Sequence, residues 1–338
     1  MGLIKKSIIS FVLLFSIIAM VGCGEQRVSE DTDNFNKSNV SEKSNVSEEV
    51  IQEKIISLPE KIGVAESLIM FHATDAGEPQ IYTIGENADR YYYMKYTFRD
   101  GDWLSEEAEF QDECNKKNSK MIVQRVFENN DFLYLVNALI LDAKKNTYEL
   151  SLYRYDKEKN KLKKVEFERL SYEDKDTKTK YDVFDLQFID DQNFVAAYNS
   201  GMFVRYNILE KKYYKYEQPL FGNFCVFDNR LYTGDMAKKK VLGFNLDSSC
   251  VDEEIQLDLQ SYGYNFCTYD EEIYVGCKNG IFALNGTEAQ KLIDGKVFST
   301  YVIDEKSKVI ALCRDDENFY MLFAQGNAYK LYSYAIVE

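Results

Sequence analysis

Asn223-Phe-Cys-Val-Phe-Asp-Asn-Arg-Leu-Tyr-Thr-Gly234 recurs 42 residues later as Asn265-Phe-Cys-Thr-Tyr-Asp-Glu-Glu-Ile-Tyr-Val-Gly276, with Asn, Phe, Cys, Asp, Tyr and Gly identical in register. Each copy reads as a strand, a turn carrying acidic residues, and a second strand. Repetition at this period means that one supersecondary unit is reused, because a single unit cannot cover its own apolar faces. Looser copies run through Arg125–Tyr134, Leu186–Val195 and Tyr301–Ile310.

A second motif follows where a third strand should end. Leu152-Tyr-Arg-Tyr-Asp156, Phe203-Val-Arg-Tyr-Asn207, Val241-Leu-Gly-Phe-Asn245 and Ile281-Phe-Ala-Leu-Asn285 all close an apolar run on Asp or Asn. Leu331-Tyr-Ser-Tyr334 and the degenerate Tyr93-Met-Lys-Tyr96 complete a set of six. Short amphipathic fourth strands follow, as in Lys161–Phe167 and Lys211–Tyr216. Four antiparallel strands per unit predict an all-β fold, a β-propeller, with six four-stranded blades favoured over seven. A pair of β-sandwiches is the weaker alternative, since it accounts less well for the repeat.

The chain ends just after a third strand, while Ile51–Pro59 precedes the first blade and looks like an orphan fourth strand. Pairing it into the last blade closes the ring and removes an exposed edge. The blade pattern resembles bacterial propellers of the TolB-like and YWTD-like type across most of residues 51–338. That resemblance rests on generic strand and turn motifs and implies the fold only. A strict Tyr-Trp-Thr-Asp repeat and a Gly-His/Trp-Asp pair are missing, and Asp100-Gly-Asp-Trp103 has the wrong spacing for a sialidase box. The charged stretches Arg169–Asp182 and Asp100–Lys120 read as long loops on one face.

The N-terminus reads as an address. Lys5 and Lys6 precede the uncharged apolar run Ser7–Ile18, which is short for a membrane span. It ends in Ala19-Met20-Val21-Gly22-Cys23, which resembles the lipobox of bacterial lipoproteins. The resemblance implies cleavage after Gly22, diacylglyceryl transfer to Cys23 and acylation of the new amine. Residues 1–22 are thus expected to be removed, taking the charge from −15 to −17 because Lys5 and Lys6 leave and no acid does. Each buried acyl methylene contributes about 0.8 kcal/mol, so several chains hold a protein stably where one does not. Residues 23–50 then form a lipidated cysteine and a tether, in which Lys37-Ser-Asn-Val-Ser-Glu42 repeats as Lys43-Ser-Asn-Val-Ser-Glu48. Too little apolar surface is present there to offset ordering entropy. The propeller domain spans 51–338, outward-facing on a bacterial cell membrane.

Composition narrows the chemistry. With 56 acidic against 41 basic residues, the chain lacks the excess of cations that phosphate backbones require, so no nucleic acid partner is expected. A single histidine, His72, restricts imidazole-rich metal sites and nucleophilic triads. It follows the apolar run Ser67–Phe71, reads as the start of a turn and is taken as structural. Beyond Cys23 stand Cys114, Cys225, Cys250, Cys267, Cys277 and Cys313, with no Cys-x-x-Cys. Cys225 and Cys267 occupy equivalent repeat positions, which suits small buried side chains in a repeated packing slot. Asp190-Asp191, Asp270–Glu272 and Asp315–Glu317 fall at inter-strand turns, where Asx-type hydrogen bonding explains them.

No catalytic residue, metal site or cofactor is expected, and the ligand-binding residues are not identifiable at this level. Twenty-six tyrosines and 22 phenylalanines mostly fill the wedges between blades. Pairs such as Tyr91-Tyr-Tyr93 and Tyr213-Tyr214 must still put some rings outside, where they can stack on sugars or peptides. The leading function is a non-catalytic, surface-anchored propeller that binds an envelope protein or polysaccharide, joined to the membrane through its lipid anchor. The alternative is a carbohydrate-active hydrolase or lyase using Asp and Glu in the central channel. A third possibility is a spacer with no rim pocket.

Overall fold

The computed structural model of the protein describes most of residues 53–336; residues 1–52, 60–67, 74–76, 111–120, 302–306 and several shorter stretches lie outside the described set. Six antiparallel sheets are arranged as six blades. Blade one holds β2 (Leu68–Ala73), β3 (Pro79–Asn87), β4 (Arg90–Arg99) and β5 (Asp102–Phe110). Blade two holds β6 (Met121–Glu128), β7 (Phe132–Asp142), β8 (Thr147–Asp156) and β9 (Lys161–Val165). In blade three β10 (Ser171–Glu173) precedes β11 (Lys180–Phe188), β12 (Asn193–Tyr198), β13 (Phe203–Asn207) and β14 (Lys212–Tyr216). Blade four runs β15 (Phe224–Phe227), β16 (Arg230–Asp235), β17 (Lys240–Asn245) and β18 (Cys250–Gln256). Blade five runs β19 (Tyr264–Tyr269), β20 (Glu272–Cys277), β21 (Gly280–Leu284) and β22 (Ala289–Asp294). Blade six joins β23 (Lys308–Arg314), β24 (Asn318–Gln325) and β25 (Ala328–Ala335) to the N-terminal β1 (Glu53–Ile56).

The first strand of each blade lies innermost. β2, β6, β11, β15, β19 and β23 touch in that cyclic order, and β2 also meets β23, so the ring is closed. Closure uses the expected strand exchange: β1 pairs antiparallel with β25, from Glu53 opposite Tyr334 to Ile56 opposite Leu331. Trp103 on β5 donates its indole N–H to the Ser57 carbonyl at 2.9 Å, and Ile56 is buried with Phe98, Tyr320 and Leu331.

Every identity in the repeat has a physical cause. Phe224 packs toward blade three, while its neighbour Cys225 packs toward blade five, because successive strand residues point to opposite faces. The equivalent Phe266 and Cys267 face blades four and six in the same way. Asp228 and Asp270 open two-residue hairpin loops with φ of 46° and 48°, followed by Asn229 and Glu271 at 55° and 60°. That left-handed pair twists with the flanking strands, and Asp tolerates it better than most residues. Tyr232 donates to Glu253 at 2.9 Å, and Tyr274 donates to Glu272. Gly234 lies against the Tyr264 ring of blade five and Gly276 against Met321 of blade six, where a Cβ atom would collide.

Three local expectations are corrected. Tyr301–Ile310 is not a strand–turn–strand copy: Gly295–Tyr301 is a 3-10 helix, and the true copy in blade six is β23, the Asp315–Glu317 turn and β24. Within the stretches read as loops, Asp102–Phe110 forms the outer strand of blade one and Ser171–Glu173 pairs with Lys180–Asp182. Edge strands can carry charge on their solvent face, so charge density alone misidentified them. His72 lies inside β2, opposite Gln80, and does not begin a turn; its side chain lies outside the described residues.

Two of the three acidic turns, at Asp190 and Asp315, show the expected side-chain-to-backbone hydrogen bonding. Asp190 accepts from the backbone N–H groups of Gln192 and Asn193, and Asp315 from those of Glu317 and Asn318. Cys225, Cys267, Cys277 and Cys313 are free and buried, and Cys250 is free and exposed.

Candidate binding groove

The outer strands distribute charge unevenly around the ring. β5 (Asp-Trp-Leu-Ser-Glu-Glu-Ala-Glu-Phe) and β18 (Cys-Val-Asp-Glu-Glu-Ile-Gln) carry acids and no base. β9 (Lys-Leu-Lys-Lys-Val) and β14 (Lys-Tyr-Tyr-Lys-Tyr) carry lysines and no acid. Blades two and three are neighbours, so these two basic edges form one sector flanked by acidic edges of blades one and four.

Between the basic edge of blade two and the β13–β14 turn of blade three lies a groove of about 330 Å³, lined by Arg154, Lys163, Lys164, Val165, Tyr206, Ile208 and Lys211. Its apolar side continues the core shared by the two blades, in which Leu152 and Tyr206 are buried and Val165 and Ile208 pack at the margin. Arg154 sits on the same face of β8 as Leu152, two residues further on, which aims it along that seam. Its guanidinium lies over the Phe132 ring at 4.2 Å, which holds the cation in place.

Arg154 and Lys163 are directly opposite in the β8–β9 register. Like charges facing each other across a ladder are destabilising. Lys163 has no ion-pair partner among the described residues, and only Arg154 of the two feels a nearby carboxylate, that of Asp156. Adjacent lysines are engaged elsewhere. Lys159 binds Asp156 at 2.8 Å, and its side-chain and backbone hydrogen bonds hold the Asp156 carboxyl below the usual range. Lys212 binds Glu210 at 3.0 Å and is raised by that hydrogen bond. Beside the groove, Leu209 is 70% exposed at the turn between β13 and β14 and Tyr214 is 57% exposed.

Cys23 and the expected signal peptide and tether lie outside the described residues. The exposed-ring expectation is met at Tyr213 and Tyr214, whereas the side chains of Tyr91, Tyr92 and Tyr93 are outside the described set. Among the described residues no group of three or more His, Cys, Asp or Glu is disposed to hold a metal ion. Sequence reasoning missed Arg154, Lys163, Lys164 and Lys211. The available signal was lysine enrichment in two consecutive fourth strands of an acidic chain.

No protein-family model matches the chain, and no curated protein matches it in sequence. Among solved structures it is similar to BamB from Moraxella catarrhalis, with a TM-score of 0.43 and 12% identity over 79% of this chain and 81% of that one. It is also similar to YCF48 from Cyanidioschyzon merolae, with a TM-score of 0.46 and 10% identity over 84% of this chain and 98% of that one. A structure described as YCF48 bound to D1 peptide gives a TM-score of 0.47 and 12% identity over 85% of this chain and 96% of that one. At these identities the likeness concerns the fold alone, which the strand order defines independently.

Proposed function

We propose that the protein is an outward-facing lipoprotein, anchored through Cys23, whose six-bladed propeller acts without catalysis as a binding module for an envelope partner. The basic groove between blades two and three carries this reading. It gathers four cations on a chain of net charge −15, and among the described residues its lining holds no carboxylate. The lipobox and the tether support the location: a chain of 27 residues reaches about 30 Å from a surface, enough to hold the groove clear of the headgroups.

The test is site-specific photo-crosslinking in intact cells, with the crosslinking residue placed at Leu209 beside the groove or at Leu292 on β22 as the distant control. A discrete adduct with an envelope component from the Leu209 position, missing from the Leu292 position, is expected. Identical patterns from both positions overturn the proposal. In parallel, the Cys23→Ser chain should leave the membrane fraction.

A further inference from the structure

Resting on the binding role proposed above, we infer that the groove takes an extended acidic segment of a partner polypeptide, in which carboxylate and apolar side chains are mixed. Charge gives the first half of the argument. β5 of blade one carries acids and no base, whereas Arg154, Lys163, Lys164 and Lys211 gather at the groove, so an anionic segment is drawn to that sector; the acids of β18 are held by Arg230 and Lys240 and contribute less. The Arg154–Lys163 opposition is relieved by an anion placed between the two cations.

The groove's lining gives the second half. Val165 and Ile208 form an apolar side to the groove, and the exposed Leu209 extends it. A phosphate polymer offers nothing to cover those aliphatic side chains, whereas a polypeptide of alternating acidic and apolar residues covers both kinds. Shape agrees as well. β9, which gives Lys163, Lys164 and Val165 to the groove, ends its sheet, and no described strand pairs with its outer side. An extended chain can therefore run beside it, as peptides do on other open sheet edges.

The experiment uses the full chain in neutral detergent and reads fluorescence anisotropy of a labelled alternating Glu-Val peptide. Saturable binding is expected, weakening steeply as salt rises because the contacts are exposed charges. The double reversal Lys163→Glu with Lys211→Glu should weaken binding at least about tenfold, and Lys291→Glu on blade five should change it less than about twofold. Circular dichroism confirms that each variant is folded, and the salt dependence of the unaltered chain stands as a test that needs no variant.

Absence of peptide binding, binding insensitive to the double reversal, or preference for inorganic polyphosphate or for vesicles of anionic phospholipid overturns the inference. A groove-specific crosslink in cells together with no Glu-Val binding would leave the binding role standing and remove the acidic-peptide assignment. Peptide binding with no groove-specific crosslink would do the reverse.

Discussion

The Asn265 side chain donates from Nδ2 to the backbone carbonyl of Ile310 at 2.8 Å, tying the innermost strand of blade five to that of blade six. Its repeat equivalent Asn223 donates to the Tyr264 carbonyl at 2.6 Å, one blade earlier. In blade three the side chain of Gln187 reaches Phe224 and Val226 of blade four. Inner strands of adjacent blades are not paired by backbone ladders, so these amides satisfy backbone groups that the ring leaves over.

Asn265→Ala leaves the Ile310 carbonyl without this donor in a partly buried setting, which costs about 1–2 kcal/mol. Urea unfolding should show a lower midpoint with an unchanged slope. An unchanged midpoint would mean that water replaces the amide without loss.

Gly234→Ala and Gly276→Ala should differ in severity. A Cβ at Gly234 would stand 2.9 Å from Tyr264 Cζ and against Leu259, while one at Gly276 would meet the terminal methyl of Met321 at 2.7 Å. The Tyr264 ring is held by a hydrogen bond at its hydroxyl from the Gly234 N–H, whereas a methionine terminus can swing away. Losses of about 2–3 kcal/mol for Gly234→Ala and about 1 kcal/mol for Gly276→Ala are expected from thermal or urea unfolding. The reverse order would refute this assignment.

Trp103 is the one tryptophan of the chain and reports the closure directly. Its ring lies 5.1 Å from that of Phe98 and its N–H binds Ser57, just past β1. Deleting 53–58 should shift its emission to the red, lower the unfolding temperature and promote association through the bared edge of β25. A synthetic peptide of residues 51–59 added in excess should reverse the shift; emission unaltered by the deletion would show that the strand does not seal the ring.

Alkaline pH should weaken the fold once ordinary tyrosines begin to ionise. A hydrogen bond to Asp316 at 2.5 Å, aided by burial, pushes the Tyr269 hydroxyl up to about 12. Burial and hydrogen bonds to Glu253 and Asp315 raise Tyr232 and Tyr320 as well. Unfolded tyrosines ionise near pH 10, so above that pH the unfolded chain releases protons that the folded chain retains. The stabilisation is complete below about pH 10 and is lost as pH rises through the folded-state values. Urea midpoints should therefore fall between about pH 9.5 and 12, and Tyr269→Phe should reduce that fall.

Thiol reactivity should follow burial. Burial raises the Cys225, Cys267, Cys277 and Cys313 thiols, and Cys250 is exposed. In the native protein Cys250→Ser should remove one rapidly titrating thiol, while the four buried ones react only on unfolding. Rapid reaction at any of the four would contradict the packing of the inner strands.

The sequence by itself determined the blade as the building unit, the alternation that sends Phe224 and Cys225 to opposite neighbours, and the strand exchange that closes the ring. The first two are local, a period of two along a strand and a turn with acidic residues; the strand exchange joins β1 to β25 across the whole sequence. It also marked six third strands correctly, from Tyr93–Tyr96 to Leu331–Tyr334. Blade six was misaligned because the 3-10 helix Gly295–Tyr301 and the chain after it carry enough apolar residues to imitate a strand. Only the tertiary structure assembled the basic groove. Lys163 and Lys211 are separated by a whole blade of sequence, and no periodicity places them on one groove. Register sets Arg154 against Lys163, and packing of blade three on blade two brings Tyr206 and Ile208 to the same wall. Electrostatic fields depend on distance in space, so a chain acidic in sum can still present a basic sector.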